Sequence, residues 1–113
     1  MKPNELQSLC RKWQKILRLQ DWDIQIKYVR HWELEDNCQG NVIYKTARNE
    51  AVIKILVESD YPDDYEGFPQ DQECTLVHEL IHLKLPILNI DADAENQICE
   101  GFSKAFVMLD RTK

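Results

Sequence analysis

The sequence predicts a single α+β domain with helices toward both ends of the chain and strands between them. Three patterns indicate this class: an amphipathic helical pattern near the start, alternating apolar and polar residues in the middle, and two helical patterns in the last third. A chain of 113 residues, 43% of them hydrophobic, can bury one core but has no room for a second. We therefore expect residues 1–113 to form one domain.

The first element is an amphipathic helix over residues 4–20, which opens just after Pro3. Its apolar residues recur at helical spacing and define one buried side. These residues are Leu6, Leu9, Cys10, Trp13, Ile16 and Leu17. The basic residues between positions 11 and 18 are expected on the solvated face of the same helix.

Strands are expected next. In residues 22–28 apolar and polar side chains alternate, which is the pattern of a half-buried strand. Trp32 and Leu34 either extend this strand or begin a second short one. We expect residues 58–70, which are rich in acidic residues and contain two prolines, to form an exposed loop.

Two more strands complete a sheet that we expect to be twisted and three- to four-stranded. After a turn at residues 37–40, Val42 and Tyr44 indicate one strand. Residues 51–57 indicate another, which is rich in β-branched side chains and is expected to lie next to the helix that follows it.

The most informative segment is His78-Glu79-Leu80-Ile81-His82, which reads H-E-x-x-H inside a predicted helix that ends before Pro86. Because a helical turn holds about 3.6 residues, His78 and His82 project from the same face, where two imidazoles can bind one zinc ion. Glu79 lies about 100° further round the helix, in a position to take a proton from a zinc-activated water molecule. The helix is apolar around most of its circumference, so these polar groups are expected to be partly buried and to need partners.

A catalytic zinc site needs a third protein ligand, and the last helix is the expected source. From residue 92 to residue 109 an apolar stripe runs along the predicted helix, with Glu95 in its middle and Glu100 on the opposite, solvated side. The residues of the stripe are Ile98, Cys99, Phe102, Ala105, Phe106 and Leu109. Glu95 is therefore the preferred ligand, although the helix dipole also favours an acidic residue in the first turn. Asp91 and Asp93 are expected to be cap residues.

His78, His82, Glu79 and a downstream Glu95 on the following helix together resemble the gluzincin class of zinc metallopeptidases. Residues 75–83 and the order of elements look most like the smallest single-domain members, which include minigluzincins and metallopeptidase-like proteins of phages and prophages. The resemblance implies a minimal zincin-like fold with an amino-terminal helix, a sheet, an active-site helix and a carboxyl-terminal helix. It also implies Zn²⁺ as cofactor, His78, His82 and Glu95 as its ligands, Glu79 as general base, and a peptide or protein as substrate.

Two departures from the gluzincin pattern keep a second function open. Gluzincins carry an acidic residue one turn after the third ligand, which orients the first histidine; here that position is Cys99. The chain also lacks the large second subdomain that completes the cleft of full-sized relatives. A zinc-binding sensor or interaction module without hydrolytic activity is therefore the alternative, and a helix that binds no metal is a further one.

The resemblance also points to residues that could contact substrate. The strand at residues 51–57 is the candidate for the sheet edge that holds an extended peptide, although its composition fits an ordinary core strand equally well. Tyr61 or Tyr65 is a candidate donor to an oxyanion, with simple packing of a loop tyrosine as the more common outcome. His31, next to Trp32, is expected to be structural.

Charge, hydropathy and cysteine content limit the partners, the location and the cysteine chemistry that we expect for this protein. The net charge of −6 argues against nucleic acid as a partner, because phosphate contacts require clustered Lys and Arg. The start of the chain has no apolar signal region and no segment approaches membrane-span length, so we expect a cytoplasmic protein without membrane contact. The four cysteines form no C-x-x-C pair and are expected to be free thiols. Cys74, four residues before His78, is a less favoured ligand, and Cys99 is expected in the core.

Overall fold

Three helices and three strands make up the part of the chain that the structure, a computed structural model, describes: residues 2–35, 38–61 and 71–113. In chain order they are α1 (Pro3–Ile16), β1 (Asp23–Val29), β2 (Gly40–Lys45), β3 (Glu50–Leu56), α2 (Gln72–His82) and α3 (Ala92–Arg111). This confirms the α+β class, with a three-stranded sheet. The predicted turn at residues 37–40 and the predicted loop at 58–70 lie partly outside the described residues.

The sheet has the order β1-β3-β2, with β3 parallel to β1 and antiparallel to β2. The prediction that residues 51–57 form the edge of the sheet was therefore wrong, because β3 is the central strand. Its alternate residues Ala51, Ile53 and Ile55 are buried, as expected for a strand with neighbours on both sides. The edge strand on the side of α2 is β2.

The helices pack on one face of this sheet. The pairing register places Ile24 and Val42 on the same face as the buried residues of β3, whereas Ile43 on the other face is more than half exposed. The helix α2 contacts β2, β3 and both other helices, so it lies at the centre of the core. Within the described ranges, no helix is both long enough and apolar enough to cross a bilayer.

Two local expectations differ from the structure. The helix α1 ends at Ile16, four residues early, because Arg18 adopts a left-handed conformation with φ of 60° that stops the helix. Residues 31–33 form a short 3-10 turn, so the expected strand at Trp32 and Leu34 was wrong. Asp60 holds this turn by accepting hydrogen bonds from the Arg30 side chain and the His31 amide.

A polar network joins the start of α2 to the other helices. The Asp71 carboxylate caps α2 by accepting from the amides of Glu73 and Cys74, at 3.0 and 3.1 Å. Arg111, in the last turn of α3, donates to Asp71 at 2.7 Å and to Glu73 at 3.0 Å. The second oxygen of Glu73 accepts from the indole N–H of Trp13 at 2.7 Å, so α1, α2 and α3 are linked through one carboxylate.

Gly40 allows β2 to lie directly against α2. A Cβ atom at Gly40 would stand 2.7 Å from Thr75 Cγ2, 2.9 Å from the Lys54 carbonyl oxygen and 3.4 Å from Glu79 Oε2. The first two distances are shorter than van der Waals contact, and the Lys54 oxygen belongs to the neighbouring strand. Only a residue without a side chain fits between the two elements.

We predict that Gly40→Ala lowers the free energy of unfolding by about 1–3 kcal/mol, because β2 must move away from α2. Urea denaturation measures this change. Gly101→Ala is the matched control: Gly101 lies in α3 with no atom within 4 Å of its Cβ position. That variant is expected to stabilise the protein by about 0.5–1 kcal/mol through its higher helix propensity. Effects of the same sign at both glycines would contradict the close approach at Gly40.

We also predict that the protein loses stability in acid partly because Asp71 becomes protonated. Partial burial acts to raise the pKa of Asp71, but the Arg111 guanidinium and the two capped amides outweigh it and hold the pKa below its usual value. The ionised form therefore stabilises the fold above the unfolded-state pKa, and this contribution is lost as the pH falls toward the folded-state pKa. Asp71→Asn keeps a good capping residue but removes the charge. Between about pH 5 and pH 2, chemical denaturation should show a smaller loss of stability for Asp71→Asn than for the wild type; equal losses would contradict the prediction.

Candidate metal centre

An open cleft of about 710 Å³ lies between β2, α2 and α3. Gly40, Asn41, Val42 and Tyr44 line its β2 side. His78, Glu79 and His82 line it from α2, and Glu95 and Glu100 line it from α3. The motif residues therefore face a space that is large enough for part of a peptide or another small ligand.

The two histidines of the motif lie side by side on α2, as their spacing of four predicts. Their ring centroids are 5.0 Å apart and the rings are inclined by 53°. Both side chains are mostly buried. Burial, together with the neighbouring His82, lowers the pKa of His78 despite the opposing effect of Glu100. A lower pKa favours the neutral form of the imidazole, which is the form that binds a metal ion.

Each imidazole contacts a carboxylate of α3 through its Nδ1 atom. His82 Nδ1 is 3.1 Å from Glu95 Oε1, and His78 Nδ1 is 3.0 Å from Glu100 Oε2. An ionised carboxylate only accepts hydrogen bonds, so in either contact a neutral ring carries its proton on Nδ1 and its lone pair on Nε2. Each pair thus fixes the orientation of one imidazole ring.

Cys99 brings a sulfur atom to the same place. Among the residues that the structure describes, His78, His82 and Cys99 form a set whose ligand atoms all lie within 4.8 Å of one another. Cys99 is fully buried, and burial, followed by the negative charge of Glu95, raises the pKa of its thiol to about 12. Two imidazoles and a thiol form a donor set that suits a borderline-soft divalent ion such as zinc.

Glu79 borders the cleft beside the histidines and is only 6% exposed. Burial, with a smaller effect of the negative charge on Glu100, raises the pKa of Glu79 to about 8. A Cβ atom at Gly40 would lie 3.4 Å from Glu79 Oε2, so β2 passes close beside the carboxyl group. A carboxyl group with a pKa near neutrality can both accept and return a proton, which is what a general acid–base role requires.

The structure brings together all four residues singled out by the sequence, namely His78, Glu79, His82 and Glu95. It also places Glu100 against His78, although the sequence pattern assigned Glu100 to the solvated side of α3. In the gluzincin pattern the acidic residue that orients the first histidine stands at the position of Cys99. Here Glu100, one residue later, makes that carboxylate contact with His78. Its side chain is half exposed, so its solvated position and its contact with His78 coexist.

Sequence reasoning misjudged the inward face of α3. The buried residues of this helix are Cys99, Ser103 and Val107, whereas Phe102 and Leu109 are 51% and 65% exposed. The true face is rotated by about 100°, the turn of one residue, from the predicted stripe. Glu95 and Glu100 then flank that face, each within about 80° of its centre. The spacing of four residues between Cys99, Ser103 and Val107 was the signal in the sequence that indicated the buried face. It was easy to miss because two of these three residues are small.

Other candidate residues are placed elsewhere. Asp91 caps α3 by accepting from the Ala94 amide at 2.8 Å, which confirms the cap prediction for Asp91; for Asp93 the prediction was wrong, because Asp93 lies inside the first turn of α3. Tyr61 has a buried hydroxyl group and is not among the residues that line the cleft; Tyr65 lies outside the described residues. His31 is exposed and lies 3.3 Å from Asp60. Cys74 lines the cleft but is not a member of the set formed by His78, His82 and Cys99.

No protein-family model, curated protein or solved structure matches this chain. The resemblance to gluzincins therefore depends on the motif residues alone, and any function must be argued from the geometry of the cleft.

Proposed function

We propose that this protein is a zinc-dependent metallopeptidase-like hydrolase that cleaves peptide bonds, with Glu79 as its general base. One observation carries the proposal: two imidazoles, each held at Nδ1 by a carboxylate, lie in an open cleft next to a buried carboxyl group. Zinc ligands, a proton acceptor and space for substrate are thus adjacent, as metal-assisted hydrolysis requires.

The ion is held by His78 and His82, and α3 provides the third protein ligand. By resemblance to gluzincins that ligand is Glu95, whose carboxylate lies at the cleft next to His82. When bound, zinc polarises the substrate carbonyl group and makes a water molecule acidic near neutral pH. Glu100 fixes the orientation of the His78 ring through its contact with Nδ1.

Glu79 carries the proton through the reaction. It takes a proton from the attacking water molecule and returns it to the nitrogen of the departing amine. A cation in the cleft lowers the pKa of a nearby carboxyl group, which offsets the effect of burial and favours the ionised form before attack. After attack, the protonated group is shielded from solvent and is poised to donate.

The substrate is an extended peptide that pairs with β2. This strand is an edge of the described sheet and forms one wall of the cleft, and among the described residues no strand pairs with the outer side of its backbone, where an added strand would bind. Backbone pairing recognises peptide without demanding a particular side chain, which suits a small domain with few specificity pockets. The acidic net charge and the cleft give no support to a nucleic-acid substrate.

A non-hydrolytic zinc-binding module is the second candidate, and the burial of Glu79 favours it. At 6% exposure, with Gly40 packed beside it, Glu79 has little room for a water molecule unless β2 moves. In such a module the ion stabilises the contact between α2 and α3, and Glu79 is a structural acid that needs no charge.

We predict that Glu79→Gln keeps zinc but lowers the rate of cleavage of an unfolded protein substrate by about 10²–10⁴-fold, because the proton acceptor is lost. The rate is measured with zinc-loaded protein at neutral pH. Glu5→Gln, which changes an exposed glutamate of α1, is the matched control and should cleave at the wild-type rate. An unchanged rate in Glu79→Gln, or no cleavage by the wild type, would favour the non-hydrolytic module.

We further predict that the purified protein binds one zinc ion per chain and that zinc stabilises it. At a free zinc concentration 100 times the dissociation constant, the free energy of unfolding should rise by about 2.7 kcal/mol. His78→Ala should abolish this rise, whereas His31→Ala, which changes an exposed histidine beside Asp60, should preserve it. Elemental analysis and thermal unfolding with and without a chelator make the test; the same response in both variants would refute a site at His78.

A further inference from the structure

We infer that the third protein ligand of the metal ion is the Cys99 thiolate and that Glu95 and Glu100 are positioning residues for the two histidines. The inference rests on the proposed function only in that it requires an ion at His78 and His82. It departs from the ligand set implied by the resemblance, in which Glu95 binds the ion.

The distances favour Cys99. Its sulfur atom and one ring nitrogen atom of each of His78 and His82 all lie within 4.8 Å of one another. In a tetrahedral zinc site, with bonds of about 2.0–2.1 Å to nitrogen and 2.3 Å to sulfur, neighbouring donor atoms are about 3.5 Å apart. The three atoms must approach by only about 1 Å, which small side-chain rotations can supply.

The carboxylates are already engaged in a different role. Glu95 and Glu100 each contact an Nδ1 atom, at 3.1 and 3.0 Å, on the side of the ring away from Nε2. Among the described residues, Glu95 does not join the histidine pair as a third close donor. Each histidine thus has one carboxylate in contact with its Nδ1 atom. Contacts of this kind fix the tautomer of a metal-binding histidine.

The position of Cys99 in α3 explains how one helix provides all three groups. Cys99 lies four residues after Glu95 and directly before Glu100, at the centre of the buried face between them. Its sulfur lies within 4.8 Å of a ring nitrogen of each imidazole, while each carboxylate contacts the Nδ1 atom of one ring. A thiolate ligand also selects zinc or cobalt over magnesium, calcium and manganese.

Cobalt substitution tests the ligand set without relying on activity. Co²⁺ is added to metal-free wild-type protein under reducing conditions, and its absorption spectrum is recorded. A cobalt–thiolate bond gives a charge-transfer band in the near ultraviolet, whereas nitrogen and oxygen ligands give only the visible bands of the ion. We expect both kinds of band in the wild type. We expect Cys99→Ser to lose the near-ultraviolet band and to bind Co²⁺ more than about 100-fold more weakly, a greater loss than positioning residues cause.

Two variants separate Cys99 from its neighbours. Cys74→Ser, which changes the cysteine of α2 that lines the same cleft, should keep the near-ultraviolet band and the affinity of the wild type. Glu95→Gln should keep the band and lose only about 10–100-fold in affinity, as expected for a residue that acts through His82. Loss of the band in Cys74→Ser, or its persistence in Cys99→Ser, would overturn the inference.

The remaining outcomes are also decisive. Visible cobalt bands without a near-ultraviolet band in the wild type would overturn the Cys99 ligand and leave the proposed function standing with Glu95. No cobalt binding at all would overturn both. If Cys99→Ser does not fold, the triple variant Cys10→Ala, Cys38→Ser and Cys74→Ser, which retains only Cys99, decides the question. The band must persist in it, and its loss would overturn the inference.

Discussion

The geometry of the cleft depends on the enclosure of α2 by the sheet and by the other two helices. Leu76, Val77, Leu80 and Ile81 are buried against these neighbours, so the rotation of α2 about its axis is fixed by apolar packing. Once that rotation is fixed, positions 78, 79 and 82 face the gap between β2 and α3. The polar residues of the motif lie there because most other directions around the helix are occupied by apolar contacts.

The opposite wall of the cleft is fixed by contacts at the ends of α3. Arg111 binds Asp71 and Glu73 at one end, and Asp91 caps the other. Since α3 is a single helix of 20 residues, its two ends cannot turn independently of its middle. The ionic contacts at Arg111 therefore help to hold Glu95, Cys99 and Glu100 toward α2, three or more turns away. A surface ion pair is weak by itself, but here Glu73 is buried and shared with Trp13.

Local periodicity predicted most of the elements but not how they pack. The helix carrying His78 and His82 and the alternation along β1 were readable because each depends on spacing within one segment. The sequence did not reveal which strand is the edge strand, because the spacing of residues within one strand does not show which other strands it pairs with. The face of α3 was misjudged for a related reason. Its large apolar residues Phe102 and Leu109 are exposed, while Cys99 and Ser103 are buried where α3 packs against α2. Small residues at a helix contact allow close approach, and hydrophobicity alone does not reveal them.

Gly40 connects the packing of the sheet to the chemistry of Glu79. The absence of a side chain lets β2 approach α2 closely enough to exclude water from the Glu79 carboxyl group, and that exclusion raises its pKa. A strand added to β2 would lie about 4.8 Å from it, at the edge of the cleft that Glu79 also lines, and would displace solvent from that part of the cleft. In the proposed hydrolase, substrate binding would therefore push the pKa of Glu79 upward while the cation pulls it downward. The balance of the two effects sets the proton affinity of the base, so the same close contact that stabilises the core also tunes the reaction.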